Sequence, residues 1–354
     1  MTTAAVARRD VRVQRATGVD ITGAWGRAIA DCGESRLAHA AEWFTVIQRA
    51  YGHEPLYLRG EDGDGRRGLL PAFIVRRPLM GTVVSSMPFL DGGGPCSSST
   101  AMDDALVAQL IEEARGIGAA VVELRGPSRL GIAAEPMEHK VNLTLALPAD
   151  AGRLWQQFDG SVRNQIRKAE RSGLSVELGG AEKIDDFYAI FCARMRELGS
   201  PVHAREFFTA IVDIFGGKAR VALVRKGRSA IGGLIALAFN GVLTVPWASC
   251  LREHLSLCPN MLLYWETIRA ACTERCWRFD FGRSSRGSGT YRFKRQWGAV
   301  EEPLLWYRIP TSGRPARPRE SAERGAALLT GSWRRLPLPL TRSLGPHIRK
   351  YLTR

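Results

Sequence analysis

The sequence predicts an α/β (α+β) protein made of two tandem mixed-sheet domains. Three observations carry this. The chain has 354 residues, and domains of roughly 100–200 residues make two the expected number. Apolar residues are 45% and charged residues 24%, enough for a buried core and too apolar for disorder. One order of elements (strand, turn, strand, strand, loop, helix, strand) occurs twice, offset by about 160 residues and without residue identity between the copies.

Residues 35–51 have helical periodicity. Residues 56–59 and 69–75 are strands around the turn Glu61-Asp62-Gly63-Asp64-Gly65, and 82–88 is a third. Asp91-Gly92-Gly93-Gly94-Pro95 breaks the chain. Residues 102–117 then form a helix with apolar positions 106, 107, 110, 111 and 114, and 119–124 a strand. An extended run over 141–147 ends at Pro148 and marks the boundary. Beyond it, helices are expected at 151–172, 182–198 and 205–215, and strands at 219–224, 233–239 and 242–248. A helix at 260–273 and a strand at 277–281 complete the second copy. The expected division is 1–146, 147–310 with the active site, and a basic Pro/Arg-rich tail over 311–354 with room for a short amphipathic helix. Within that tail, an interfacial helix is expected after Pro346, and Pro337 and Pro339 rule out one continuous helix.

Antiparallel meander strands followed by a helix and a parallel-leaning strand are the order of an N-acetyltransferase-type, or GNAT-like, fold. Its two central strands splay apart and present backbone groups to an acyl donor. The next helix N-terminus offers N–H groups to phosphates.

Charge and composition exclude several classes. The most apolar stretch, 231–245, is short and interrupted by Gly232, Gly233, Asn240 and Gly241, so no transmembrane helix is expected. Arg8, Arg9, Asp10 and Arg12 stand where a signal peptide needs an apolar run. Seven scattered cysteines suit reduced thiols, and no metal is expected, because Cys272 and Cys276 lack further ligands at zinc spacing. A cytoplasmic location follows, with peripheral contact at the inner face of the membrane. Net charge is +15, and the tail from Thr311 holds ten Lys or Arg against two Glu, hence +8 of it. Such a tail fits anionic lipid or nucleic acid, or is simply solvated charge.

Several segments carry chemistry. The loop Leu251-Arg252-Glu253-His254-Leu255-Ser256-Leu257-Cys258-Pro259-Asn260 has no glycine to wrap a CoA pyrophosphate, although Pro259 or Asn260 suits the helix start. Trp277-Arg278-Phe279-Asp280-Phe281-Gly282-Arg283-Ser284 is a strand that Gly282 breaks. Phe279 and Phe281 share one face, Asp280 the other, and Arg283 projects from the end. In Gly287-Ser288-Gly289-Thr290-Tyr291-Arg292-Phe293-Lys294-Arg295-Gln296-Trp297-Gly298, Phe293 and Trp297 anchor the segment and direct Tyr291, Lys294 and Arg295 elsewhere. Cations at a strand end suit a phosphate or a developing oxyanion; an exposed cationic turn is the plainer alternative. On the helix from Gly160, Arg163, Arg167 and Arg171 share a stripe beside Lys168, which fits phosphate binding or a solvated face. His139, His203 and His254 lack triad partners, and His203 after Pro201 reads as structural.

These residues resemble the FemAB-related proteins, in the branch associated with exosortase/PEP-CTERM exopolysaccharide systems. The likeness runs through Arg167-Lys168-Ala169-Glu170-Arg171-Ser172-Gly173-Leu174, Leu198-Gly199-Ser200-Pro201-Val202-His203, Cys258-Pro259-Asn260-Met261-Leu262-Leu263-Tyr264-Trp265-Glu266, Phe279-Asp280-Phe281-Gly282-Arg283-Ser284 and Gly289-Thr290-Tyr291-Arg292-Phe293-Lys294-Arg295-Gln296-Trp297-Gly298-Ala299, and the tail from Trp333. The resemblance implies tandem GNAT-like domains and transfer of an aminoacyl group from aminoacyl-tRNA to an amine, typically on a peptidoglycan precursor. It implies Lys294 as the cation near the reacting carbonyl, with Arg283 beside it. The donor ester is then expected near Trp247 and Ala248, and Asp280 as the proton acceptor. Asn260, Tyr264, Tyr291 and Arg292 are expected around substrate, and Arg163, Arg167 and Lys168 on tRNA or precursor phosphates. No resident cofactor is expected, the acyl donor being a co-substrate. A CoA-dependent N-acyltransferase of exopolysaccharide assembly and a non-catalytic membrane-surface scaffold are the alternatives.

Overall fold

The computed structural model describes residues 11–78, 80–126, 130–132, 134–311 and 330–353. The N-terminal half runs β1 (Arg12–Arg15), α1 (Gly18–Asp31), α2 (Glu42–Tyr51), β2 (Glu54–Pro55), β3 (Leu58–Glu61), β4 (Arg67–Leu70), β5 (Phe73–Arg77), β6 (Gly81–Ser85), α3 (Thr100–Gly116), β7 (Val121–Gly126) and β8 (Met137–Ala146). The C-terminal half runs α4 (Ala151–Gln157), α5 (Gly160–Arg171), β9 (Leu174–Gly179), α6 (Ile184–Leu198), α7 (Arg205–Phe215), β10 (Ala219–Lys226), β11 (Ser229–Phe239), β12 (Val242–Cys250), α8 (Pro259–Thr273), β13 (Arg278–Ser284), α9 (Gly289–Arg295) and β14 (Val300–Pro310). A last helix, α10 (Leu338–Arg349), follows.

Among the described residues the strands form a 3-stranded sheet, β1-β3-β4, and an 11-stranded sheet in the order β2-β5-β6-β7-β14-β8-β13-β12-β11-β10-β9. The repeated order is visible in space. β5 and β6 are antiparallel, α3 crosses over, and β7 joins β6 in parallel. In the same way β11 and β12 are antiparallel, α8 crosses over, and β13 joins β12 in parallel. β14 leaves the C-terminal half to pair with β7 on one side and β8 on the other. The expected boundary falls at the end of β8, whose last residue Ala146 still pairs with Arg278 of β13, so the sheet is continuous there.

One face of the large sheet carries α6 and α7, with α2 packed on α7 and α1 on β4 of the small sheet, and Trp25, Trp43, Phe187, Phe207 and Trp247 form a single cluster spanning both halves. The other face carries α4, α5 and α8 over Leu262, Phe279 and Trp297. A third cluster lies under α3. Burying a side chain of this size contributes about 1.5–3 kcal/mol, so the shared first cluster fixes the halves against each other. All seven cysteines are free thiols.

Four expectations about elements change. The strand expected at 69–75 divides at Pro71, which has no N–H for a ladder; β4 joins the small sheet and β5 the large one. The single helix expected over 151–172 is two. Phe158 is extended (ψ 143°) at their junction, and its ring packs on Trp265 and Trp297. Gly282 does not end its strand, which continues to Ser284. The helix of the tail begins before Pro346 and not after it: α10 starts after Pro337, keeps Pro339 in its first turn and contains Pro346. Its Thr341 and Gly345 are buried, and a Cβ on Gly345 would lie 2.8 Å from Val202 Cγ1. Positions 1–10 and 312–329 of the expected domains lie outside the described residues.

Candidate active site

β12 and β13 pair only at Val242–Arg278, Leu243–Phe279 and Thr244–Asp280. Beyond that level they diverge, and each strand carries a bulge on its outer flank. In β12, Val245 and Pro246 stand opposite Ala236 alone, between the Thr244–Leu237 and Trp247–Ile235 pairs. In β13, Phe281 and Gly282 stand opposite Leu143 alone, between the Asp280–Thr144 and Arg283–Asn142 pairs. Bulges bend a strand and re-aim its side chains. Pro246 has no N–H to offer β13, and Gly282 adopts φ +72°, where a side chain is strained. Proline on one strand and glycine on the other therefore open the sheet at one level.

A cavity of about 350 Å³ opens at the divergence. Its walls combine β12 and β13 with Phe191 and Met195 of α6, Phe89–Asp91 of the β6–α3 loop, Arg36, His203 and Arg349. Lys294 is 8% exposed. Its ammonium donates to the carbonyls of Gly282 and Arg283, both at 2.8 Å. Those bonds engage two of its three donors. Burial lowers its pKa to about 8, against the pull of Asp280 and Asp91, and Arg283 lowers it further. Asp280 is raised by burial, although its Oδ1 accepts the Gly282 N–H at 2.7 Å and Asn142 also bonds it. Arg283 pairs with Asp91 at 2.9 Å and lies over the Trp306 ring at 5.2 Å. Arg36 pairs with Glu302 at 3.2 Å.

The cavity thus gathers Lys294, Arg283, Asp280, Trp247 and Ala248. The other expected site residues lie elsewhere. Tyr264 is in the core, its ring stacked on Phe281 at 5.6 Å, because its helix face points into the α8 cluster. Asn260, at the start of the same helix, is outside the cavity wall. The Tyr291 hydroxyl donates to Glu301, and Arg292 donates to the Gly287 carbonyl at 2.7 Å. Both therefore brace the turn around α9. On α5, Arg163 caps the carbonyls of Trp155 and Gln156, Arg167 lies over the Trp155 ring at 5.6 Å, and Lys168 is exposed. That cationic face is separate from the cavity.

Sequence reasoning missed Arg36, Asp91, Asn142 and Arg349. Asn142 carried a signal, a polar residue alternating within an apolar strand. Pro246 inside a strand pattern carried another. His203 lines the cavity with both ring nitrogens engaged, by Tyr51 at 2.6 Å and Arg349 at 3.1 Å.

Residues 156–295 match the profile of an acetyltransferase (GNAT) domain. Among solved structures, the chain is similar to FemX at 12% identity, covering 85% of this chain and 98% of that one with TM-score 0.62. The fold is that of a GNAT-type acyltransferase. A tandem GNAT protein from the clavulanic acid biosynthesis pathway is similar at 11% identity, 86% and 100% coverage and TM-score 0.55. The C-terminal domain of a putative lysylphosphatidylglycerol synthetase from Agrobacterium fabrum follows at 13%, 88% and 96%, and 0.54. A search of curated proteins gives no significant match. The acetyltransferase match and the paired GNAT-like units support an acyltransferase, with two such domains in tandem. Among the described residues, no helix is long and apolar enough to cross a membrane.

Proposed function

We propose that the protein forms an amide bond, transferring an aminoacyl group from aminoacyl-tRNA to an amine on a cell-envelope precursor of the peptidoglycan or exopolysaccharide type. The observation that carries this is the buried Lys294 ammonium at the strand divergence, beside Asp280 in an open cavity. The donor ester carbonyl lies near Trp247 and Ala248. A neutral amine attacks it, forming the C–N bond, and the third ammonium N–H stabilises the oxyanion. The amine proton passes to Asp280, whose burial-raised pKa makes it a better acceptor. The C–O bond then breaks and the tRNA hydroxyl leaves with a proton.

Two features favour this donor over CoA. The loop before α8 has no glycine, and Cys258 there takes a left-handed conformation ahead of Pro259. On the α8 side of the divergence, Tyr264, Phe281, Phe293 and Trp297 pack together, so a donor enters from the α6 side. The likeness to FemX and to a lysylphosphatidylglycerol synthetase domain supports the same direction. Purified protein is expected to be stabilised against heat by aminoacyl-tRNA and to release copurifying tRNA in salt. Stabilisation by acetyl-CoA alone would favour the CoA reading.

Lys294 must be charged to act, so transfer is expected to fall as pH rises through about 8, and Lys294→Arg is expected to remove that limb. The folded pKa is below the free-chain 10.5. The unfolded chain therefore holds the proton longer, and stability is expected to rise between those two pH values.

The acceptor site works at a membrane surface in this reading. Leu340, Leu344 and Ile348 recur every four residues on α10 and are 42%, 42% and 41% exposed, beside exposed Arg335 and Arg342. An apolar edge flanked by cations suits an anionic interface. Wild type is expected to pellet with phosphatidylglycerol vesicles at low salt, and Leu344→Glu with Ile348→Glu to stay in solution. Equal pelleting would remove the membrane contact.

A further inference from the structure

α10 does more than close the chain, because it brings Arg349 into the cavity wall. The position is built from both sides. Arg349 Nε–H donates to His203 Nε2 at 3.1 Å, and Nη1 donates to the Leu352 carbonyl at 3.0 Å. A guanidinium has no proton to spare, so His203 Nε2 is the acceptor and the ring proton sits on Nδ1. Nδ1–H then donates to the Tyr51 oxygen at 2.6 Å. Burial and the nearby Arg349 and Arg283 keep His203 well below its usual pKa, hence neutral. The following residues are clamped in turn: the Thr353 carbonyl accepts from Arg125 at 2.5 Å, and the Lys350 carbonyl bonds His53 at 2.8 Å.

This machinery sets like charges together. Four cations, Arg36, Arg283, Lys294 and Arg349, line the cavity with two carboxylates, Asp91 and Asp280. Burial lowers the pKa of both Lys294 and Arg349, and Arg283 lowers both further. With Glu302 paired to Arg36, the surplus is one positive charge, and a partly enclosed cleft with a positive surplus draws an anion. We propose that Arg349 recognises an anionic group, a phosphate or a carboxylate, on the acceptor. The C-terminal segment thereby becomes part of the substrate site. A planar guanidinium matches either oxyanion with paired donors, and His203 and Tyr51 are the positioning residues behind it.

The inference rests on the cavity being the transfer site, but it is read without turnover. Calorimetric titration of the full chain at pH 7 and low salt uses inorganic phosphate and glutarate as probes. Wild type is expected to bind at least one saturably, and phosphate or glutarate selectivity tells a phosphorylated acceptor from a carboxylated one. Arg349→Gln is expected to weaken binding about tenfold, as loss of a charge-assisted contact does, whereas Arg228→Gln in the exposed turn between β10 and β11 leaves it unchanged. Arg349→Lys keeps the charge without the fork and is expected to fall between, deciding the matter where Arg349→Gln does not fold. No binding by wild type, or wild-type affinity in every folded Arg349 variant, overturns the proposal. Either result leaves the Lys294 test of transfer standing, and an inert Lys294 variant leaves the anion titration standing.

Discussion

Lys294→Met is expected to lower turnover about a hundredfold, the loss seen when one oxyanion donor is removed from a preorganised site. Pro246 and Gly282 open β12 from β13, and the Gly282 and Arg283 carbonyls at that opening hold the ammonium at 2.8 Å. The cation is therefore fixed before substrate arrives, so stabilising a developing negative charge needs no reorganisation. Methionine fills the same volume but offers no N–H. The fold is expected to survive, because the substitution removes a buried cation from beside Arg283. It leaves two carbonyls without their donor, at a cost of about 1–3 kcal/mol each at most. Single-turnover transfer with aminoacyl-tRNA, alongside a melting curve, checks both halves. Full-rate transfer by a folded Lys294→Met protein would remove Lys294 from the mechanism.

Much of the site was legible because it is local. Asp280 and Arg283 lie on one strand, Lys294 lies on the short helix after it, and Trp247 with Ala248 on the neighbouring strand. Alternation on β13 and the Phe293–Trp297 spacing grouped Asp280, Arg283 and Lys294, and the family resemblance added Trp247 and Ala248. Helix faces were harder. Tyr264 and Asn260 share a helix with an all-round apolar pattern, which does not say which side meets the sheet. The Gly92-Gly93-Gly94 run was legible as a turn but not in its purpose. A Cβ on Gly93 would sit 2.5 Å from Met87, and one on Gly94 2.8 Å from the Arg125 carbonyl, so close packing is what selects glycine there. Long-range pairing was not legible at all. β14 leaves its own half to pair with β7, and α10 returns to set Arg349 beside His203. Both contacts join residues more than a hundred positions apart, and no periodicity records them.

Arg125 shows how that distant closure is held, and Arg125→Met is expected to destabilise the protein by about 3–5 kcal/mol, the scale for stripping one partner from a buried charged network. Its side chain is 1% exposed. It donates to the carbonyls of Met87 and Leu90 at 3.1 and 2.8 Å and of Thr353 at 2.5 Å. Glu123 stands 3.6 Å away, and the Trp306 ring lies beneath the guanidinium at 4.8 Å. The loop it grips is strained, with Met87 at φ 45° and Phe89 at φ 76°, left-handed values that non-glycine residues adopt only when neighbours impose them. That loop supplies Phe89, Leu90 and Asp91 to the cavity, and Asp91 is the partner of Arg283. Methionine would leave the three carbonyls without their Arg125 donor and let both the loop and the Thr353 end relax. Denaturant unfolding should therefore show the loss, and phosphate or glutarate affinity should fall with it, because Arg349 is held from the same end. A surface control, Arg228→Met in the exposed turn between β10 and β11, is expected within about 0.5 kcal/mol of wild type. An Arg125→Met protein as stable as wild type would mean that the C-terminal segment and the strained loop hold their places without it.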